Sequence, residues 1–256
     1  MMKTIPVLAL LVLSCASSQE TAKPERPNII YILADDLGWN DVGYHGSEIK
    51  TPRLDALARE SVNLNSFYVY PSCTPTRAGL LTGRNPSRYG IRWPMTKPPL
   101  PIEAVTIADL LGASGYATHH VGKWHLGPDF EFGPRRQGFQ TAYGFIHGQI
   151  DHYRHHYKNM DKSWFRDETF VDEPGHATDL LTQEAVKIIQ GPKEKPFFMY
   201  LAYSAPHYPL QDDEKWIQMN GGIAHQDRRL QAAMVSHMDD AIGRMASART
   251  VIILAR

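Results

Sequence analysis

Asn28-Ile29-Ile30-Tyr31-Ile32-Leu33-Ala34 is a short, almost wholly apolar run that stops abruptly at Asp35-Asp36. A run this short, with no polar alternation, predicts a strand buried on both faces of a parallel sheet. Open α/β sheets take their ligands beyond the carboxyl ends of the strands. Two adjacent carboxylates at such an end are therefore placed to hold a hard divalent cation, calcium or magnesium. Asp35-Asp36-Leu37-Gly38 reads equally as a plain turn with a helix cap, and on this segment alone both readings stand.

The pattern recurs along the chain. Tyr116 to Val121 predicts a strand, followed at once by Gly122-Lys123-Trp124-His125-Leu126-Gly127. Lys123 and His125 flank Trp124, so extended backbone would point both toward one place; the bland alternative is a polar strand end anchored by a tryptophan. Pro196 to Tyr203 predicts another apolar strand, ending in Ser204-Ala205-Pro206-His207. Between these runs lie helical periods. Thr51 to Asn63 would cover the sheet with Leu54, Leu57, Ala58 and Val62, and Thr106 to Ser114 would turn Ile107, Leu110 and Leu111 inward. Asp179 to Gln190 and Gln226 to Met245 give two more helices, and Thr250 to Ala255 a late strand. Alternating strands and helices predict an α/β fold with a mostly parallel sheet sandwiched by helices.

Ser72-Cys73-Thr74-Pro75-Thr76-Arg77-Ala78-Gly79-Leu80-Leu81-Thr82-Gly83-Arg84 places a thiol at the mouth of a short helix. Thr74 suits an N-cap, Pro75 the first helical position and Gly83 the C-terminal cap, so the helix is expected from about Pro75 to Thr82 with Cys73 just outside its positive end. Free amides, the helix dipole and the planar cation of Arg77 would favour a phosphate or sulfate there.

The chain has 256 residues, 43% of them hydrophobic, enough for one large domain with a substantial core. Lys plus Arg equals Asp plus Glu at 27 each, and no basic run appears, which argues against a nucleic-acid partner. Met1 to Ser18 combines Lys3, an apolar run from Ile5 to Leu13 and small residues, as an export signal does. Val12-Leu13-Ser14-Cys15 also fits a lipobox, in which Cys15 would carry a lipid anchor. Residues 19–27 read as a polar linker. The expected location is thus outside the cytoplasm: periplasmic, anchored at an outer membrane, or secreted. Of two cysteines, one lies in the signal segment, so Cys73 is left without a disulfide partner.

Taken together, Ala34-Asp35-Asp36-Leu37-Gly38, Cys73-Thr74-Pro75-Thr76-Arg77, Gly122 to Gly127 and Ala205-Pro206-His207 stand in the order found in type I sulfatases, and the chain resembles that family from about Pro27 to Asp240. Gly38-Trp39-Asn40-Asp41-Val42-Gly43, His45-Gly46-Ser47 and Arg135-Arg136-Gln137-Gly138-Phe139 most resemble arylsulfatase B and its relatives. The resemblance implies an alkaline-phosphatase-like N-terminal catalytic domain over residues 28–256 and hydrolysis of sulfate esters, of sulfated polysaccharides or aryl sulfates. It also implies conversion of Cys73 to formylglycine by a formylglycine-generating enzyme. One hydroxyl of the aldehyde hydrate would attack sulfur, and the second would let the aldehyde re-form and expel sulfate.

By the same resemblance Asp35, Asp36 and the modified Cys73 would ligate Ca2+, with Mg2+ the weaker choice. Arg77 would support the hydrate and Lys123 would contact sulfate. His125 would assist proton removal, and His207 would bind sulfate or protonate the leaving oxygen. In relatives, Asp-Asn-Gly and a further lysine follow the late core strand, so the resemblance makes the domain truncated and its cation shell incomplete. The short connection from Gly243 to Thr250 points the same way. A catalytically impaired fragment, or a phosphatase or phosphonate-ester hydrolase of the same superfamily, therefore stands as the alternative. His147 to His156, with Asp151, Tyr153, Arg154 and His155, reads as a solvent-exposed loop or as contacts for a sulfated sugar. A separate metal site of His152, His155 and His156 is the remote reading.

Overall fold

The first apolar run forms strand β1, Asn28–Leu33, and its alternation sends side chains into two separate cores. Ile30, Ile32 and Ala34 pack on one face of the sheet, and Tyr31 and Leu33 on the other. The structure is a computed structural model that describes residues 26–94, 97–192, 194–245 and 250–255. The predicted signal, its lipobox and most of the 19–27 linker lie outside the described residues, as does most of the short connection before Thr250.

Strands β2 (Ala117–Lys123), β3 (Thr141–Phe145), β4 (Trp164–Arg166), β5 (Thr169–Phe170), β6 (Phe197–Ala202) and β7 (Thr250–Ala255) complete one seven-stranded sheet in the order β5-β4-β3-β2-β6-β1-β7. β2, β3, β6, β1 and β7 run parallel, while β4 and β5 join antiparallel at one end. The expected α/β sandwich is therefore present. β1 lies between β6 and β7, with Ile30 beside Met199 and Ile252.

Helices α1 (Pro52–Arg59), α4 (Ala177–Gln190) and α6 (Gln226–Met245) cover the face holding Ile30 and Ile32, and α2 (Cys73–Thr82) and α3 (Ile107–Ala113) the other. A short α5 (Glu214–Met219) packs on α6. The bounds of α6 and β7 are those read from the sequence.

Two predicted faces are corrected. α1 ends four residues early, because Ser61, Val62 and Asn63 are poor helix formers, and Val62 is 86% exposed while Leu54 holds the core. In α3 the capping box between Thr106 and Asp109 sets the phase. That phase buries Ala108, half-buries Leu111, and leaves Ile107 and Leu110 exposed. No helix among the described residues is long and apolar enough to cross a membrane.

Candidate active site

β1, β2 and β6 deliver their carboxyl ends to one edge of the sheet, and the four sequence motifs meet there. Asp35 follows β1, is 3% exposed, and donates its N–H to the Ala205 carbonyl beyond β6 at 3.0 Å. Lys123 closes β2 and sets its Nζ 2.5 Å from Asp35 Oδ2. Gly122 makes that closure possible: its φ is +112°, and a Cβ there would lie 1.9 Å from the Ala202 carbonyl oxygen of β6. Only glycine tolerates both the backbone and the approach.

Arg77 reaches the same carboxylate from α2. Its NH2 donates to Asp35 Oδ1 at 3.2 Å, and its NH1 donates to the Tyr200 hydroxyl at 3.0 Å and the Lys123 carbonyl at 3.4 Å. Arg77 Nε has no partner although the side chain is buried. Burial alone would raise the Asp35 pKa, but Lys123 and Arg77 outweigh it and hold the carboxyl below its usual range. Two buried cations thus face one buried carboxylate, so the local charge favours an added anion.

Cys73 lies one position inside the helix rather than outside it. α2 starts at Cys73 with Ser72 as N-cap, and Pro75 sits within the first turn. The correction has a simple cause: a proline anywhere in that turn lacks an N–H that would have found no intrahelical partner. The expected end is met, since Gly83 takes the left-handed conformation and donates its N–H to the Gly79 carbonyl.

Cys73 Sγ lies 3.3 Å from His125 Nδ1, which is also 3.4 Å from Thr74 Oγ1. His125 has φ +56°. For a non-glycine residue that conformation costs on the order of 1–3 kcal/mol, and such strain gathers at functional sites. Burial first, then the charges of Lys123 and Arg77, push the His125 pKa far below its usual value, so the ring is neutral at physiological pH. Gly148 lies close against this imidazole, where a Cβ would come within 2.4 Å of the ring.

His207 and Asp36 form the outer part of the edge. His207 Nε2 lies 3.6 Å from Asp36 Oδ2, and its Nδ1–H donates to the Tyr208 carbonyl at 2.7 Å. Asp36 has φ +64°, and its side chain is 61% exposed. All seven predicted residues, Asp35, Asp36, Cys73, Arg77, Lys123, His125 and His207, therefore join one group. Sequence reading missed Tyr200, the Arg77 anchor, and Gly148, the floor under His125.

The 147–156 segment is less exposed than a solvated loop. His152 and His155 are 1% and 4% exposed, while Tyr153 remains at the surface. His152, His155 and His156 do not form a metal cluster; among the described residues the cluster with metal-ligating side chains is His176, Asp212 and His237.

Comparison with known proteins agrees with the geometry. The sequence profile of the family described as Sulfatase matches residues 27–248. Arylsulfatase J of Mus musculus is 39% identical over 240 residues, covering 87% of this chain and 39% of that protein. N-acetylgalactosamine-6-sulfatase of Mus musculus is 33% identical over 264 residues, covering 93% of this chain and 50% of that protein. The chain thus spans half or less of the length of these curated relatives. The crystal structure of Ps i-CgsB in complex with k-i-k-neocarrahexaose superposes with a TM-score of 0.82 at 33% identity, covering 90% of this chain and 58% of that one. By sequence profile, relatives and fold, this chain belongs to the sulfatase family.

Proposed function

We propose that the strand-end group is the nucleophile and anion-binding part of a sulfuric ester hydrolase acting on sulfated carbohydrate, with Cys73 as the residue converted to formylglycine. The observation that carries this reading is the pairing of Cys73 with neutral His125, beside two buried cations that face a single buried carboxylate. That arrangement combines a proton acceptor at the nucleophile with a positive cradle for a sulfate ester. The modified residue, when present, supplies an aldehyde hydrate as nucleophile. The names of the relatives support a sulfated sugar: one is an N-acetylgalactosamine-6-sulfatase, and one structural neighbour holds a neocarrahexaose.

In this reading His125 Nδ1 takes the proton from the attacking group at position 73. Lys123 and Arg77 hold the ester anion, and Arg77 is kept in place by Tyr200. His207 Nε2, whose ring is fixed through the Tyr208 carbonyl, hands a proton to the leaving oxygen. Asp35 and Asp36 carry the hard oxygen donors that calcium requires, Asp36 exposed and Asp35 with each oxygen now paired to a cation that it would exchange for the ion, and a Ca2+ held there would polarise the sulfate oxygens. The export reading of Met1 to Ser18, and with it a periplasmic, anchored or secreted location, belongs to the same proposal.

The test is mass spectrometry of the tryptic peptide containing position 73, from protein exported by a host with the modifying enzyme. It is paired with assays on aryl sulfate and aryl phosphate. Conversion of the thiol, preference for the sulfate and loss of turnover in Cys73→Ala are expected. An intact thiol in all molecules with retained sulfate release would overturn the formylglycine assignment, and a phosphate preference would overturn the sulfatase one.

A further inference from the structure

On the opposite face of the sheet three side chains from separate stretches converge. His176 is the N-cap of α4, Asp212 lies between β6 and α5, and His237 sits in the middle of α6. One ligand atom of each lies within 4.8 Å of the other two. The side chains of His237 and Asp212 are wholly buried, and His176 is 4% exposed. His237 Nδ1 lies 2.9 Å from Asp212 Oδ1, its Nε2 is 3.3 Å from Asp179 Oδ1, and its ring is stacked on Trp216 and tilted against His176.

One polar atom in this knot has no partner at all, Asp212 Oδ2. A carboxylate oxygen without a partner inside a protein is costly, and buried polar groups are nearly always satisfied. His176 makes two long hydrogen bonds: Nδ1 accepts from the Thr178 N–H at 3.2 Å and Nε2–H donates to the Gln211 carbonyl at 3.3 Å.

We propose that His176, Asp212 and His237 form a binding site for a divalent transition-metal ion of the zinc type. Two imidazole nitrogens and one carboxylate oxygen select such an ion over calcium or magnesium, which prefer all-oxygen shells. Ligation through Nδ1 of both histidines, which for His176 gives up the bond it accepts from the Thr178 N–H, leaves each Nε2 facing an outer acceptor, as in metal-bound imidazoles. His176 Nε2–H stays on the Gln211 carbonyl, and His237 Nε2–H is aimed at the Asp179 carboxylate. Any proton on His237 Nδ1 leaves to solvent as the ion enters, so the ion takes over the positive charge facing Asp212. The ion ties α4, α6 and the segment that starts at His207 into one unit, and the assignment does not depend on the proposed sulfatase chemistry.

The test uses the whole chain, freed of metal by dialysis against a chelator and titrated with Co2+. The expected result is one equivalent bound with the visible d–d bands of a low-coordinate nitrogen and oxygen site, and a thermal midpoint that rises with Co2+. Asp212→Asn and His176→Gln should each remove the bands, Asp179→Asn should weaken binding about tenfold, and Asp35→Asn should leave the bands in place. A wild-type titration without d–d intensity, or bands undiminished in both Asp212→Asn and His176→Gln, would overturn the site. The wild-type titration decides by itself if either variant fails to fold.

Discussion

Tyr200 and Gly148 set where the Arg77 and His125 side chains lie. Tyr200→Phe removes the hydroxyl that accepts from Arg77 NH1, leaving that buried donor with only the 3.4 Å contact to the Lys123 carbonyl. A buried charged donor so deprived costs about 1–2 kcal/mol. The chemical denaturation midpoint of Tyr200→Phe should fall accordingly, with the slope unchanged; a midpoint equal to wild type would show that the hydroxyl does not hold Arg77. Gly148→Ala acts on the partner group. Its methyl would meet the His125 ring at 2.4 Å and displace it from its present contact with Cys73. Turnover should drop at least about tenfold at an unchanged fold, since proton transfer needs hydrogen-bond reach. Retained turnover in that variant would mean that the ring has room the structure does not show.

The joint between α1 and α6 carries a titration of its own. Asp239 on α6 accepts the N–H groups of Leu54 at 2.7 Å and Arg53 at 3.1 Å, capping the first turn of α1. Burial nevertheless pushes its pKa up to about 6, against the pull of those two N–H groups, with Asp55 adding to the rise. A raised pKa means that the folded state holds the proton more tightly than the unfolded chain. The stabilisation is full below the unfolded value near 3.8 and is lost as pH rises through 6. Relative to wild type, Asp239→Asn should therefore gain stability between pH 4 and pH 7, read from paired denaturation curves. Parallel curves would contradict the shift.

The same scale shows what sequence could reveal. Each strand-end motif is contiguous, so Asp35-Asp36, Lys123 with His125, and Ala205-Pro206-His207 are legible by local pattern, although β2 ends at Lys123 and His125 reaches the site through a left-handed turn rather than through strand alternation. Tyr200 was not, because a strand buried on both faces reads as one apolar run and does not say which residue faces Arg77. The burial of His152 and His155 was likewise hidden. Their polarity argues for the surface, and their partners come from distant stretches: Gln211 donates to Asp151 and accepts from the His152 N–H, and His155 stacks on Trp164. The exposed sides of α1 and α3 were misread because periodicity gives a stripe but not the residue at which a helix stops or the phase its cap imposes.

Across the whole molecule the sheet is stitched by distant segments. Asn28 Oδ1 accepts the Phe197 N–H at 3.1 Å from 169 residues away, and β7 pairs with β1 along its full length. Such non-local pairing slows folding, since the loop must close before its contacts repay the entropy. Cys73 leaves the ribosome long before β6 exists. In that interval Asp35 lacks the Ala205 carbonyl and Arg77 lacks Tyr200, so the anchors that the segment from β6 onward gives the site are missing. Under the proposed conversion of Cys73 by another enzyme, late sheet closure would act as a timer: the thiol would be open to that enzyme in the growing chain, and the finished sheet would end its opportunity.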